Sequence, residues 1–483
     1  MQTGSVGTSG SLPLVEGLLP APRPEDVFLQ MARLPHCLFL DSAMAHPTLG
    51  RYSFLAADPF DFVRFPADGS DALGALEERL RRFSCHRRAD IPVCRSETGL
   101  PPFQGGAAGL FSYDLGRSLE RVPIARADEF GVPALAVGLY DVVVAFDHAD
   151  GRAWIISQGL PETERSLRQN RARRRLEQVR GWIDGSTPPA AAVAGRSSTL
   201  AASLSPQHAV PGAHGVTSNF SEDAYLRAVQ RAIDYVYAGD VFQVNLSQRL
   251  LVPARDDAVS LYRRLRRCNP APFAGFFDLG DFQIVSASPE RFLRVSDREV
   301  ETRPIKGTRP RTGNQAIDRA AEADLLASEK DRAENVMIVD LMRNDLARVC
   351  EARSVRVGQL CGVEAYQHVL HLVSSVHGRL REGQSPVNLL RAAFPGGSVT
   401  GAPKIRAMEI IAELEPTARG AYCGSLGYLG FDGSSDLSIL IRAITAGRGW
   451  WQFPVGGGIV ADSIPEKEYE ETWHKAEGLL RAL

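Results

Sequence analysis

Apolar and polar positions alternate in two different ways near the middle of the chain. Between residues 221 and 238 the apolar side chains recur at helical spacing, and Ser221 stands where its hydroxyl can cap the free N–H groups of a helix. The next stretch, VFQVNLSQRL, alternates with the two-residue period of a strand, which puts Gln243 and its polar neighbours opposite the apolar side chains. We therefore expect a helix and then a strand that lines a polar cleft, although an exposed outer face would show the same alternation.

Helical spacing returns in two later segments, and each of them carries a pair of acids. Residues 328–349 contain Asp331 and Glu334, and the C-terminal segment contains Glu468 and Glu471. Because residues three apart share a helix face, each helix would present two carboxylates together. Two such pairs could hold one hard divalent cation such as Mg²⁺, which prefers a few protein carboxylates. Ordinary acids on a helix surface would give the same spacing.

The distribution of apolar and turn residues divides the chain into four parts. We predict a flexible N-terminal tail over residues 1–22 and a mixed α/β domain over residues 23–184, with strand-like runs such as RYSFLA and LYDVVVAF. Residues 185–218 are rich in Pro, Ala and Ser and have little to bury, which is typical of a linker. The acid pairs then belong to a second domain over residues 219–483.

The composition is that of a soluble globular protein, with 44% hydrophobic and 23% charged residues. A net charge of −2 gives no reason to expect a nucleic-acid partner or a membrane surface, and no apolar run is long enough to span a bilayer. The seven cysteines form no metal-binding spacing and favour a reducing compartment, most simply the cytoplasm. The N-terminal segment lacks the basic and apolar regions of a signal peptide.

Lysine is rare in this chain, and one lysine stands in an unusual place. Of the 55 basic residues only five are lysines, namely Lys306, Lys330, Lys404, Lys467 and Lys475. Arginine is permanently charged, whereas a buried lysine can lose its proton and act as a nucleophile. Lys306 lies among three arginines in RPIKGTRPR, so it is a candidate for such a role.

Glycines cluster in three later stretches, FPGGSVTGAPK, YCGSLGYLGFDG and FPVGGGIVADS. Glycine runs let backbone N–H groups approach an anion closely. None of the three fits a known nucleotide-binding loop, so we expect them to bind a carboxylate, unless they are ordinary turn glycines.

Taken together, these stretches resemble the chorismate-utilising enzymes, the family of anthranilate synthase component I, aminodeoxychorismate synthase component I, isochorismate synthase and salicylate synthase. The resemblance rests on GDVFQVNLSQR, SASPERF, RPIKGTRPR, SEKDRAENVMIVDLMRNDLARV, YQHVLHLVSSVHG, GSVTGAPK, YCGSLGY, SILIRA and VGGGIVADSIPEKEYEET, in family order over residues 221–483. The first half matches more loosely. The resemblance implies an α/β (α+β) fold in which two antiparallel β-sheets pack together, with outer helices and a central cleft.

The resemblance also implies roles for the acids. Glu334 and Glu471 would hold Mg²⁺ against the ring carboxylate of chorismate, supported by Asp331 and Glu468. Glu290, in SASPERF, would be the general acid that protonates the departing hydroxyl, and it would need a pKa raised by burial.

Further residues are implied to contact the substrate. Arg442 and Tyr422 would hold the pyruvyl carboxylate, together with the backbone N–H groups of the last glycine run, whereas Lys475, Thr400 and His371 would line the side of the ring carboxylate. The full substrate-binding set implied by the resemblance is Gln243, Gly307, Thr308, His371, Thr400, Tyr422, Arg442, Gly456, Gly457, Gly458 and Lys475.

Two positions indicate a branch of the family. Isochorismate- and salicylate-forming members carry a lysine at the place of Gln243 to activate water, so water is not the expected nucleophile here. Anthranilate synthases typically read PIAGT where this chain reads PIKGT, and the lysine marks the aminodeoxychorismate-forming branch. Lys306 would attack the ring and expel the hydroxyl, and ammonia would then displace the lysine. Alternatively, Lys306 is an electrostatic anchor for the substrate.

The expected product is 4-amino-4-deoxychorismate, the precursor of 4-aminobenzoate and folate. The chain has no glutaminase nucleophile motif, so we expect a separate glutaminase subunit that supplies ammonia from glutamine. The nearest alternative is anthranilate synthase component I, which forms anthranilate and pyruvate for tryptophan biosynthesis. A scaffold that has lost catalysis is a third interpretation, which the loss of Glu290, Glu334, Glu471 or Arg442 would favour, but all four are present.

One stretch of the first half, LDSA, together with NPAPFAGFF, resembles the tryptophan pocket of anthranilate synthase. Asp41 replaces the Glu of the family pattern, and NPAPFAGFF departs from the usual sequence there. The resemblance therefore does not imply feedback inhibition by tryptophan, and a tryptophan bound there for a structural purpose is the alternative.

Overall fold

Two antiparallel β-sheets pack face to face and carry helices on their outer faces. The computed structural model describes residues 12–44, 49–83, 99–186, 203–210, 212–366 and 369–483. The strands are β1 (Leu14–Gly17), β2 (Leu38–Asp41), β3 (Tyr52–Ala56), β4 (Asp61–Phe65), β5 (Gly106–Phe111), β6 (Leu135–Tyr140), β7 (Val142–Asp147), β8 (Arg152–Ser157), β9 (His208–Ala209), β10 (Thr217–Ser218), β11 (Gln243–Pro253), β12 (Phe273–Asp278), β13 (Phe282–Ser288), β14 (Arg291–Ser296), β15 (Glu299–Thr302), β16 (Ile305–Pro310), β17 (Arg356–Ala365), β18 (Val369–Arg379), β19 (Gly401–Ala402), β20 (Ser425–Gly430), β21 (Ser435–Ile439), β22 (Ala443–Gly447) and β23 (Trp450–Ile459). The α-helices are α1 (Pro24–Met31), α2 (Ala72–Phe83), α3 (Arg165–Ile183), α4 (Glu222–Tyr237), α5 (Ala258–Cys268), α6 (Gln315–Ala327), α7 (Glu329–Ala347), α8 (Pro386–Ala393), α9 (Lys404–Leu414) and α10 (Pro465–Leu480).

The larger sheet has the strand order β1-β8-β7-β3-β2-β12-β13-β22-β23-β11-β10-β9, and β19 adds to β11. The smaller sheet has the order β16-β18-β15-β14-β21-β20-β5-β6-β4, and β17 adds to β18. The pairs are antiparallel, so the predicted fold class is confirmed.

Apolar side chains from both sheets fill the space between them, among them Phe277 and Ile284 of the larger sheet and Leu110 and Leu426 of the smaller one. A second cluster lies between the larger sheet and the helices α1, α3, α5 and α10. A third packs α2, α7 and α8 with the smaller sheet and extends to α4 and α9, which lie against β11 of the larger sheet. The helices that carry the predicted acid pairs, α7 and α10, therefore cover different sheets and approach each other at the edge of the sandwich.

Both halves of the chain contribute to both sheets. In the larger sheet β2 pairs with β12, and in the smaller sheet β5 pairs with β20. The prediction of a flexible tail is wrong for residues 14–17, which form strand β1 against β8. About half of the predicted linker, residues 187–202 and 211, lies outside the described residues, but its end supplies the short strands β9 and β10.

The predicted helices are present, and their caps follow from the sequence. The Ser221 hydroxyl accepts a hydrogen bond from the N–H of Ala224 at the start of α4, and Ser328 caps α7 in the same way. The run LYDVVVAF forms two strands rather than one, because the chain crosses from the smaller sheet to the larger one at Asp141. The buried Asp141 carboxylate pairs there with Arg171 and Arg175 of α3.

The charged helix α3 is solvated over much of its surface, as its charge pattern predicts. Within the described part of the chain, no helix has the length and apolar character needed to cross a bilayer.

Candidate active site

Lys306 lies on β16 next to a β-bulge. Lys306 pairs with Leu372 of β18, whereas Thr308 pairs with His371, so that Gly307 is an extra residue between them. Gly307 has a φ of +72°, which favours glycine. A bulge changes the direction in which neighbouring side chains point, and this one lies where the lysine side chain turns toward the acids of α7.

The Lys306 ammonium is buried beside Glu334. Its Nζ atom is 3.8 Å from Glu334 Oε2, and the lysine side chain is only 11% exposed. Burial lowers the pKa of Lys306, although the negative charges of Glu334 and Glu290 oppose the shift. Burial likewise raises the pKa of the Glu334 carboxyl, against the opposing charge of Lys306. Both shifts favour the neutral forms of the two groups, and a neutral amine is the nucleophilic form of lysine.

Glu290 is a second buried acid of the cleft. It follows β13, and its Oε1 atom accepts a hydrogen bond of 2.6 Å from the Ser398 hydroxyl. Burial raises the pKa of Glu290 to about 7, against the opposing effects of Ser398 and Lys306. The carboxyl can therefore hold a proton near neutral pH, as general acid catalysis requires.

Each carboxylate of the two predicted pairs lies beside one basic side chain. The four pairs are Asp331 with Arg309 at 3.3 Å, Glu334 with Lys306 at 3.8 Å, Glu468 with Lys330 at 3.6 Å and Glu471 with Lys475 at 2.6 Å. Burial alone would raise the pKa of Glu471, but the positive charges of the nearby lysines, mainly Lys475, lower it. The net shift of the pKa is downward. Three of the five lysines of the chain thus meet at these acids.

The donor chemistry of this acid cluster fits a hard divalent cation. A Cβ atom placed on Gly457 would lie 3.2 Å from Glu468 Oε2 and 3.4 Å from Glu471 Oε1, so the glycine leaves open space in front of two carboxylates. Across the described residues, however, no group of three or more His, Cys, Asp or Glu side chains is arranged to hold a metal ion. The carboxylates are turned toward their basic partners instead. Magnesium binding at Glu334 and Glu471 therefore stays a prediction.

The glycine run Gly456–Gly458 is part of a strand and not a loop. It lies in β23, whose register with β11 continues to Ile459, whereas its register with β22 covers only residues 450–452. In the part of the chain that the structure describes, the other edge of the run therefore faces no strand. Lys475 uses this open edge, since its Nζ atom donates to the Gly456 carbonyl over 2.8 Å.

Gln243 lies at the start of β11 and is fully buried. A Cβ atom on Gly458 would come within 2.6 Å of Gln243 Nε2, so the amide packs directly on the glycine backbone. Asn245, two residues further along β11, connects the strand to the segment GSVTGAPK, because its Nδ2 atom donates a hydrogen bond to the Ser398 carbonyl. Within the described residues, Gln243 Oε1 has no hydrogen-bond partner, which leaves one buried acceptor for a ligand.

His371 and Arg442 form another part of the cleft. The imidazole Nδ1 atom is 2.9 Å from the Thr308 hydroxyl, and Nε2 has no hydrogen-bond partner among the described residues. Burial, with a contribution from the nearby Arg442 charge, lowers the pKa of His371 to about 3, so the imidazole is neutral. Burial also lowers the pKa of Arg442, which pairs with no described carboxylate. A half-buried guanidinium that pairs with no described carboxylate, beside a neutral imidazole, suits a substrate carboxylate.

Thr400 and Tyr422 are less closely connected to the acids. The Thr400 hydroxyl donates to the Gly396 carbonyl, and the Tyr422 ring lies 5.8 Å from the guanidinium carbon of Arg419. No hydrogen bond or ion pair between described residues joins either of them to the acid cluster. Their predicted contacts with the substrate stay predictions.

The sequence did not indicate three residues of this cleft. Ser398 bonds Glu290, Lys330 reaches Glu468, and the Tyr366 ring packs edge-on against His371 with 5.0 Å between ring centres. Only the rarity of lysine could have drawn attention to Lys330.

A separate cavity of about 350 Å³ lies between the sheets, and both LDSA and NPAPFAGFF contribute to its wall. The Asp41 carboxylate there accepts hydrogen bonds from Tyr262 at 2.8 Å and from Arg266 at 2.6 Å. The acid that replaces the Glu of the family pattern is therefore already engaged by the protein.

Comparison with known proteins agrees with this architecture. The family model described as chorismate binding enzyme matches residues 59–481. The chain belongs to the chorismate-binding enzyme family. It is 46% identical over 462 residues to anthranilate synthase component 1 of Thermus thermophilus, covering 95% of each chain. It is 39% identical over 472 residues to aminodeoxychorismate synthase component 1 of Salmonella typhimurium, again covering 95% of each.

The chorismate-binding fold is also seen in a solved structure. The crystal structure of anthranilate synthase component I from Streptococcus pneumoniae superimposes with a TM-score of 0.72 at 32% identity, covering 90% of this chain and 93% of that one. Relatives with two different activities thus match over nearly the whole chain.

Proposed function

We propose that this chain is component I of an aminodeoxychorismate synthase. It converts chorismate and ammonia to 4-amino-4-deoxychorismate and water, and a separate glutaminase subunit supplies the ammonia from glutamine. The observation that carries the proposal is Lys306, a primary amine buried beside two carboxyl groups whose pKa values burial raises, in a chain where only five of the 55 basic residues are lysines. The relative from Salmonella typhimurium, named aminodeoxychorismate synthase component 1, supports it.

The first step forms one bond and breaks one. The neutral Lys306 amine adds to the ring of chorismate, the bond from the ring to the hydroxyl oxygen breaks, and the Glu290 proton leaves with that oxygen as water. The lysine nitrogen, now bonded to the ring, loses a proton, and the adjacent Glu290 carboxylate is a suitable acceptor.

In the second step ammonia bonds to the ring carbon that lost the hydroxyl, the ring double bonds shift as in an allylic displacement, and the bond from the ring to the lysine nitrogen breaks. The displaced amine takes up the proton that ammonia loses, so Lys306 is regenerated. Arg442 and the neutral His371 bind and orient a substrate carboxylate. Mg²⁺ held by Glu334 and Glu471, with Asp331 and Glu468 beside them, would anchor a carboxylate and withdraw electrons from the ring.

Anthranilate synthase component I is the second candidate, and the 46% identity to the relative from Thermus thermophilus favours it. In that reaction Lys306 would keep its charge and only attract the substrate. The two candidates therefore differ in whether position 306 needs a nucleophile or only a positive charge.

The deciding experiment uses the purified chain with chorismate, Mg²⁺ and an ammonium salt at about pH 8.5, where more of the ammonia is unprotonated. We expect 4-amino-4-deoxychorismate by mass spectrometry, and a loss of turnover of at least roughly 10²-fold in both Lys306→Ala and Lys306→Arg. Fluorescent anthranilate released with pyruvate would refute the proposal, and full activity in Lys306→Arg would make the lysine an anchor. Lys467→Arg, at an exposed lysine of α10, is the matched control.

A further inference from the structure

The rare lysines at the acid cluster are not equivalent. Lys306 has a chemical role in the proposed function, and Lys475 belongs to its substrate site. Lys330, the second residue of α7, has no role in it, yet its Nζ atom lies 3.6 Å from Glu468 Oε1 of α10. We propose that Lys330 is a displaceable counter-ion of the divalent-cation site, which balances the acid cluster before the cation binds and moves into solvent when it does. The inference rests on the cation site of the proposed function.

Lys475 is an example of a lysine in this cluster whose ammonium group is held firmly by the protein. Its Nζ atom is 2.6 Å from Glu471 Oε1 and donates to the Gly456 carbonyl over 2.8 Å. Two short contacts, one to a side chain and one to the backbone, hold this ammonium in place. A cation bound by Glu471 Oε1 would compete with the first contact, while the second would still hold the ammonium nearby.

Lys330 is held much more loosely. Its distance of 3.6 Å from Glu468 is beyond hydrogen-bond range, and its side chain is 49% exposed whereas that of Glu468 is 5% exposed. The same Oε1 atom already accepts a hydrogen bond of 2.7 Å from the Ser463 hydroxyl. Charge attraction alone therefore connects Lys330 to the acid, and the flexible stem of an exposed lysine can leave at little cost.

The position of Lys330 links the two helices that carry the predicted cation ligands. Its positive charge lowers the pKa values of Glu334 on α7 and Glu471 on α10, after the larger effects of burial and of the nearest lysines. Without a cation, the acids of the two helices repel each other, and Lys330 offsets part of this repulsion. A divalent cation competes for the same negative charge, so the ammonium and the cation exclude each other electrostatically.

The test measures binding of Mn²⁺, a spectroscopic substitute for Mg²⁺, to the full chain without chorismate, by the electron paramagnetic resonance signal of free Mn²⁺. We expect Lys330→Gln to bind Mn²⁺ roughly three- to tenfold more tightly than the parent protein, because a competing charge is gone. Lys330→Arg keeps the charge and should bind within about twofold of the parent protein. Lys467→Gln removes an exposed lysine that makes no ion pair with any described residue. Its affinity for Mn²⁺ should also stay within about twofold of that of the parent protein.

The opposite results are equally clear. Unchanged or weaker Mn²⁺ binding in Lys330→Gln, with normal binding in the parent protein, would overturn this inference and leave the proposed function intact. Absence of Mn²⁺ binding in every variant, with or without chorismate, would overturn both the inference and the cation site. A circular dichroism spectrum identical to that of the parent protein ensures that each variant is folded.

Discussion

At the scale of single residues, Glu290 combines a catalytic requirement with a cost in stability. Burial raises the pKa of its carboxyl from the ordinary 4.5 to about 7. A raised pKa means that the folded chain holds this proton more tightly than the unfolded chain. The contribution of Glu290 to stability is therefore fully present below about pH 4.5 and is lost as the pH rises to about 7.

We predict that Glu290→Gln is less active but more stable than the parent protein at about pH 8. The amide cannot ionise or donate the required proton, so turnover should fall by roughly 10²- to 10⁴-fold. Because an amide oxygen can still accept the Ser398 hydrogen bond, the free energy of unfolding at that pH should rise by an amount on the order of 2–3 kcal/mol. Urea unfolding at about pH 5 and about pH 8 measures the effect, which should shrink at the lower pH.

The control for this prediction is Glu382→Gln, which removes an exposed acid and should change neither stability nor turnover. Normal turnover in Glu290→Gln would assign the acid role to another group. An unchanged free energy of unfolding in Glu290→Gln at about pH 8 would mean that ionisation of Glu290 does not destabilise the folded protein.

The sequence indicated residue types better than residue partners. Lys306, Glu290 and the two acid pairs are visible as types at fixed spacing, and the structure brings most of them into one cleft. The hydrogen bond from Ser398 to Glu290 and the ion pair from Lys330 to Glu468 join residues that are more than 100 positions apart in the chain. Only the packing of the sheets and helices decides such partners, so no local pattern could predict them.

At the scale of elements, the bulge at Gly307 positions the lysine. A Cβ atom on Gly307 would lie 2.8 Å from Leu325 Cδ1 and 3.0 Å from Asp331 Cγ, and the φ of +72° adds backbone strain. We predict that Gly307→Ala moves β16 away from α7 and lowers turnover at least tenfold, with a loss of roughly 1–3 kcal/mol in the free energy of unfolding. Turnover and urea unfolding measure the two effects.

Gly313 provides the matched control for the bulge. It has a φ of +83°, but a Cβ atom there would meet nothing within 4 Å. Gly313→Ala should therefore show the backbone strain without the collision, and its turnover should stay close to that of the parent protein. Equal turnover in the two alanine variants would show that the bulge does not position Lys306.

Elements with local signals were predictable, and elements without them were not. The helices α4, α7 and α10 combine helical spacing with acidic first turns, and all three are present. The strand β1 is only four residues long and pairs with β8, which lies about 140 residues later in the chain, so residues 14–17 resembled a tail. The sequence did not indicate that the glycine run of β23 lies in a strand, because glycine is unusual within a strand.

At the scale of the whole molecule, the two halves of the sequence build one sandwich. Strand β2 of the first half pairs with β12 of the second half over Leu38–Asp41, and β5 pairs with β20 over Gly106–Phe111. The apolar core between the sheets also combines both halves, for example Phe54 and Leu110 with Ile284. The change in composition at residues 185–218 therefore marks a boundary in the sequence that the sheets cross.

We predict that residues 219–483 produced alone are unfolded or aggregated, because they lose the strand neighbours of both β12 and β20 and half of the core between the sheets. This loss exceeds the roughly 5–15 kcal/mol by which a folded domain is stable. When residues 1–184 are produced in the same cells, the two fragments should assemble and recover chorismate turnover, since only the connecting segment and the two short edge strands β9 and β10 are missing. Gel filtration, circular dichroism and turnover test both cases. Cooperative unfolding and full turnover of residues 219–483 alone would show instead that the second half is an independent domain.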